Sequence, residues 1–172
     1  MKRIFIAIVA LLAGFGPLSA QKIGYINTDT ILSEIPAYVA AQTQLNTLSD
    51  KYRATIETEL GKIETLYQNY QNSRNSMSAS QRQNAENEII TKERVVQEKQ
   101  KIYFGEDGIM AKKAEELLTP IREQVDKAIA KVAEAGGYGL IIDLAAQQGI
   151  VYKNPALDLS AQVLAVYNKD NQ

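Results

Sequence analysis

The chain contains no cysteine, no histidine and no tryptophan. Without cysteine there is no disulfide framework and no thiol nucleophile. Without histidine, Ser-His-Asp catalysis and the usual zinc sites are excluded as well. No G-x-x-x-x-G-K-[ST] phosphate loop occurs, so ATP hydrolysis by that route is not expected. Neither sign of charge dominates: 19 Lys and Arg face 20 Asp and Glu, a net charge of −1. Removing Lys2 and Arg3 leaves 17 basic against 20 acidic residues, a net charge of −3. That balance is not one of a nucleic-acid binder, and no nucleic-acid partner is expected. Stability must come from packing or assembly, and tyrosine, with nine residues, is the main aromatic.

The first twenty residues, "MKRIFIAIVALLAGFGPLSA", have Lys2 and Arg3, an apolar run from Ile4 to Phe15, and a small-residue end at Leu18-Ser19-Ala20. This is the layout of a secretory signal peptide. The run is shorter than the roughly 20 residues of a membrane-spanning helix, and Gly14, Gly16 and Pro17 break it. Cleavage after Ala20 is expected to leave residues 21 to 172 as the exported product. No cysteine follows the cleavage point, which excludes lipid attachment there.

"KIGYIN" (22–27) reads as a short strand. Asp29 is the favoured cap of a short turn ending near Leu32, and Pro36 suits the first turn of the next helix. From Ala37 to about Ser73, Val39, Leu45, Leu48, Tyr52, Ile56, Leu60, Ile63, Tyr67 and Tyr70 form a helical stripe. Its steps of three and four residues approach coiled-coil spacing. "QNSRNSMSAS" (71–80) interrupts the stripe and is expected to reverse the chain. A second helical stretch is expected from Gln81 to Ala135, with a stripe carried mostly by one residue per heptad up to residue 113. Gly105, Gly108 and Pro120 are its candidate hinge and kink.

Gly136 and Gly137 end this helix. "YGLIIDL" and "IVYK" are expected to form a hairpin around the turn "AAQQG" and to supply partners for the first strand. Asp143 interrupts the apolar alternation; the outward-facing reading is favoured, with a buried polar anchor as the alternative. "LDLSAQVLAVYNK" is expected as a short amphipathic helix capped by Asp158 or Ser160. The fold class is therefore α+β, a small sheet body with a long α-helical hairpin inserted between its first and second strands. Residues 21–36 and 136–172 form the body and residues 37–135 the hairpin. A body this small, and two bare helices, both favour an oligomer.

No convergent polar cluster suggests an enzyme, and no cofactor or metal is expected. Glu115 and Glu116 are neighbours on a helix and point in different directions. Tyrosine joins a broad apolar face to a polar tip, and methionine is adaptable, so both suit contacts with varied sequences. Near the expected tip, Tyr67, Tyr70 and Met77, with Ile63 on the same stripe, are the candidate contacts for a guest chain.

The order of leader, "KIGYIN" with "TDTILSEIPAY", helical hairpin, "PIREQVDKAIAKVAEAGGYGLIID" and final "DLSAQVL" resembles the Skp/OmpH family of periplasmic chaperones. The resemblance spans the whole mature chain. It implies a homotrimer whose short strands join in a central β-barrel body, with three helical tentacles around a cavity. It also implies that unfolded outer-membrane β-barrel proteins are held there without ATP. On this basis Ile23, Tyr25, Leu140, Ile142 and Val151 are candidate residues of the trimer body. The best-known members are strongly basic, whereas this chain is mildly acidic. Electrostatic steering should be weaker, contact with a membrane surface only weak, and no lipopolysaccharide site is carried over. The alternative is a structural coiled-coil adaptor of the cell envelope.

Overall fold

A computed structural model describes residues 21–147 and 149–171. The expected leader, residues 1–20, lies outside the described residues. The elements run in the order β1 (Lys22–Ile26), α1 (Thr28–Ser33), α2 (Pro36–Ser73), α3 (Ala79–Phe104), α4 (Ile109–Gly136), β2 (Tyr138–Asp143) and α5 (Ser160–Asp170). Single 3₁₀ turns at Arg74–Ser76 and Pro155–Leu157 precede α3 and α5. The helices between β1 and β2 form the insertion expected from the sequence. Contacts divide the chain into two compact units, one of Leu32–Asp126 and one of the described residues up to Ile31 with those from Lys127 onward.

The unit that holds the strands is built on β1. β1 and β2 pair in parallel, as two strands separated by a long helical crossover must when they run the same way. The register sets Ile23 beside Leu140 and Tyr25 beside Ile142. Among the described residues the expected hairpin does not form: β2 is the last strand there, and Ile150, Val151 and Tyr152 are exposed. A different segment is seated at β1's other edge. The Leu159 amide donates to the Tyr25 carbonyl at 2.9 Å, and Tyr25 and Asp158 form an isolated parallel bridge. The segment leading into α5 thus joins β1 on the side away from β2, while the outer edge of β2, which "IVYK" was expected to pair with, stays open among the described residues. Val163 and Leu159 from the α5 region, and Ala128 and Val132 from α4, are buried in this unit. Lys131 of α4 pairs with Asp170 of α5 at 2.8 Å.

Asp143, at the end of β2, is a polar anchor rather than an outward residue. Its carboxylate accepts from the Thr28 amide at 3.1 Å, the Thr28 hydroxyl at 2.7 Å and the Ala145 amide at 3.0 Å. The start of α1 and the end of β2, 115 residues apart in sequence, are thereby tied together. The cap of α1 is Asn27, not Asp29: Asn27 Oδ1 accepts from the Thr30 amide at 3.1 Å. Asn27 directly precedes the first helical residue, where a cap side chain reaches the third helical amide. The Asn27 amide in turn donates to Ser160 Oγ at 3.0 Å, so Ser160 serves β1 while Asp158 accepts from the Ser160 amide. Burial pushes the Asp158 carboxyl up, but the Ser160 hydrogen bonds and nearby Lys153 outweigh it and hold the group below its ordinary value.

The helical unit begins with Pro36 in the first turn of α2, where its missing N–H leaves no bond unmade. α2 has 38 residues, about 57 Å at 1.5 Å per residue. Near its start Ala41 and Leu45 are buried against Leu118, with Tyr38, Met110, Ala114, Leu117 and Ile121 around them. The reversal falls where the Ser- and Asn-rich stretch predicts. Ser78 then caps α3 in a reciprocal box, accepting from the Gln81 amide while Gln81 accepts from the Ser78 amide. α3 and α4 are interrupted at Gly105–Gly108, and α4 runs on through Pro120. A side chain at Gly108 would lie 2.9 Å from the Gly105 backbone, and one at Gly105 would lie 2.4 Å from the Lys101 carbonyl. The turn is therefore closed by backbone contact that only glycine permits.

Candidate functional site

Along the outer part of the hairpin, α2 and α3 meet in a narrow seam. Ile56, Ile63 and Tyr70 of α2 are buried and seven residues apart, as are Ile89 and Val96 of α3. Tyr103 continues the α3 series, half-buried, and Leu66, Met77 and Ala85 pack against the same cluster. A coiled coil buries two residues per heptad on each helix. Here the intervening apolar positions of α2, Leu60 and Tyr67, stay 47% and 49% exposed. On α3, Ile90 is 61% and Ile102 55% exposed, and Phe104 is also open to solvent. The hairpin thus spends about half of its stripe on holding itself together.

The seam is fixed by specific polar and aromatic contacts. Tyr52 stacks on Tyr103 with centroids 4.1 Å apart, and Phe104 meets both rings edge-on at 6.4 Å. The Tyr70 hydroxyl donates to Glu86 across the helices. That hydrogen bond, and then burial, push the Tyr70 phenol up. Glu59 sits 3.4 Å from both Lys62 and Lys99, and these ammonium groups, Lys62 foremost, hold its carboxyl below the usual range. Between the helices, Arg53, Ile56, Glu57, Leu60, Gln100 and Phe104 line an open, mostly apolar groove of about 620 Å³.

The four candidate guest contacts divide by exposure. Tyr67 is open to solvent; Ile63 and Tyr70 are buried in the seam, and Met77 packs on it. Sequence reasoning did not separate Leu60, Ile90, Ile102 and Phe104 as exposed. The signal available for Leu60 was its place midway between residues of the seven-residue series. Of the candidate hinge, Gly105 and Gly108 shape the break, whereas Pro120 lies within continuous helix.

The five body candidates gather on the strand unit. Ile23, Tyr25, Leu140 and Ile142 share one face of the sheet, because residues two apart on a strand point the same way. Ile23 and Leu140, register partners, are each about half exposed, while Tyr25 is buried. Ile23, Tyr25, Ile142, Leu144, Ile150 and Leu157 line an apolar groove of about 270 Å³, with the Lys153 ammonium 5.1 Å from the Tyr25 ring centre. Val151 stands clear of the chain, fully exposed. Burial, followed by the carboxylate of Asp158, raises the Tyr25 phenol. Among the described residues no helix is long and apolar enough to cross a membrane.

Comparison with known proteins covers nearly the whole of this arrangement. The chaperone protein Skp of Yersinia enterocolitica is 28% identical over 154 residues, covering 89% of this chain and 90% of that protein. The chaperone protein Skp of Photorhabdus luminescens is 26% identical over 156 residues, covering 91% of each chain. A crystal structure of an OmpH-like protein from Caulobacter crescentus superposes with a TM-score of 0.65 at 15% identity, covering 90% of this chain and 88% of that one. That likeness is one of fold. The family described as outer membrane protein (OmpH-like) matches residues 22–167, from the first strand to the last helix, and the chain belongs to this Skp/OmpH family.

Proposed function

We propose that the chain is an ATP-independent periplasmic holdase that keeps unfolded outer-membrane β-barrel proteins from aggregating. Membership in a family of outer-membrane chaperones supports the chaperone role. The observation that carries the finer reading is the set of large apolar side chains outside the buried seam: Leu60, Tyr67, Ile90 and Ile102 are left open to solvent. Each such contact with an unfolded chain is weak. Several arms acting on one client raise the effective concentration of every further contact. The client is retained without being fixed in one conformation, and no nucleotide is needed.

In this reading the leader is cleaved after Ala20, and three copies assemble through their strand units. The exposed pair Ile23 and Leu140, and Val151, become buried between copies. Assembly also covers the open outer edge of β2, which is otherwise a template for non-specific pairing. The protein works by binding, not by chemical catalysis.

The test is dilution of a urea-denatured outer-membrane β-barrel protein without nucleotide, followed by light scattering. Suppression of scattering by stoichiometric amounts of residues 21–172 is expected. Undiminished scattering at several-fold excess would overturn the holdase reading and favour a dedicated envelope adaptor.

A further inference from the structure

The chain turns from leader to folded domain within two residues. Ala20 closes the small-residue cleavage signal, Gln21 follows, and the family match and β1 both begin at Lys22. Cleavage after Ala20 therefore makes glutamine the new amino terminus. A terminal glutamine carries a nucleophile and an electrophile at the spacing of a five-membered ring. Its α-amine has an ordinary pKa of about 7.7–8.0, so part of the population is unprotonated near neutral pH. Attack within one residue also avoids the entropy cost of bringing two molecules together.

We propose that the mature protein begins with pyroglutamate formed from Gln21. The inference rests on the export reading above. In the step, the α-nitrogen attacks the side-chain carbonyl carbon Cδ, and the new C–N bond closes a lactam. The Cδ–Nε2 bond breaks, and the nitrogen leaves as ammonia with the proton lost from the amine. One amide replaces another, so no oxidant, reductant or cofactor enters the balance.

The surroundings of Gln21 accommodate the product. Gln21 is exposed and lies before the first strand residue. Its side chain lies beside Gly139, where an added Cβ would be 3.4 Å from Gln21 Cβ and 3.6 Å from its Cδ. These are ordinary contact distances, and the exposed side chain has open solvent on its other side for a compact ring. The next residue already carries a placed charge: the Lys22 ammonium donates to the Gly136 carbonyl at 3.1 Å and sits 4.1 Å from the centre of the Tyr138 ring. Cyclisation removes a second positive charge from the neighbouring residue. It also blocks aminopeptidases, which would otherwise reach Lys22 and then the strand that organises this unit.

The experiment uses the full chain, expressed with its own leader in its native host and quenched in acid at harvest. The amino-terminal peptide is identified by tandem mass spectrometry. The expected peptide begins at residue 21, is lighter than its sequence by one ammonia, resists Edman degradation and is opened by pyroglutamyl peptidase. The Gln21→Ala variant, processed at the same bond, should show a free amine and the full mass. A wild-type peptide that begins at Gln21 with a free amine would overturn the proposal and leave the export reading intact. An uncleaved chain, or one cut elsewhere, would overturn both cleavage after Ala20 and the ring. Ammonia loss that is absent at harvest and grows only with storage would also overturn it.

Discussion

Replacing Asp143 by alanine should loosen the strand unit more than any surface carboxylate substitution. The side chain is half-buried and accepts three hydrogen bonds, two from Thr28 and one from Ala145. A hydrogen bond to a charged group is worth about 1.5–3 kcal/mol net, and three such bonds would total more than the anchor can contribute. Water reaches the site, so the freed Thr28 and Ala145 donors are partly resolvated. The expected loss is about 2–3 kcal/mol. Asp143→Asn keeps one acceptor oxygen and the shape but not the charge, and should cost about 1 kcal/mol. The assay is equilibrium urea unfolding followed by circular dichroism, at one fixed protein concentration because assembly contributes to apparent stability. A double-mutant cycle with Thr28→Val isolates the anchor: a coupling of about 1–2 kcal/mol is expected between these contacting residues. Additivity within about 0.3–0.5 kcal/mol, the behaviour of independent sites, would refute the claim that Asp143 joins α1 to β2.

Two glycines of the helical unit should respond in opposite ways. Gly61 lies within α2 with nothing near its missing side chain, so Gly61→Ala should raise stability by about 0.8–1 kcal/mol, whereas Gly108→Ala, which presses on backbone, should cost about 1–3 kcal/mol. Thermal melts of both variants decide this. Acid should weaken the strand unit through Asp158. Its folded-state carboxyl is lowered, so its contribution is present above the ordinary carboxylate range and is lost as pH falls through the folded value. Melting temperatures of wild type and Asp158→Asn should therefore converge as the pH drops below about 4. Finally, replacing Leu60, Tyr67 and Ile90 together by serine should weaken suppression of client aggregation several-fold while the helical circular dichroism persists. Equal suppression by this variant would remove these residues from the client surface.

The helices were legible because their cause is local. Stripe spacing, Pro36 at a helix start, the Ser/Asn-rich reversal and the glycine pair at 136–137 each act within a few residues, and each appears where the sequence predicts it. The strand unit was harder to read because its pairing is decided over more than a hundred residues. "IVYK" has strand composition, but among the described residues it does not pair with β2, and the other edge of β1 is taken by a still later segment through Leu159 and Asp158. Asp143 looked like the outward member of an alternation because its partner, Thr28, is remote in sequence. The same limit applies to the candidate site. Leu60 and Ile63 belong to one stripe on paper. Which of them is buried depends on where α3 lies, and the seam takes the Ile56–Ile63–Tyr70 series and leaves Leu60 and Tyr67 outside.

In the proposed function, several copies of this chain hold one unfolded client without nucleotide. Native mass spectrometry of residues 21–172, mixed with a freshly diluted, unfolded outer-membrane β-barrel protein, tests it most directly. A complex of three chains with one client, formed in the absence of ATP, is expected. A chain that stays monomeric, or a trimer that never carries the client, would contradict it.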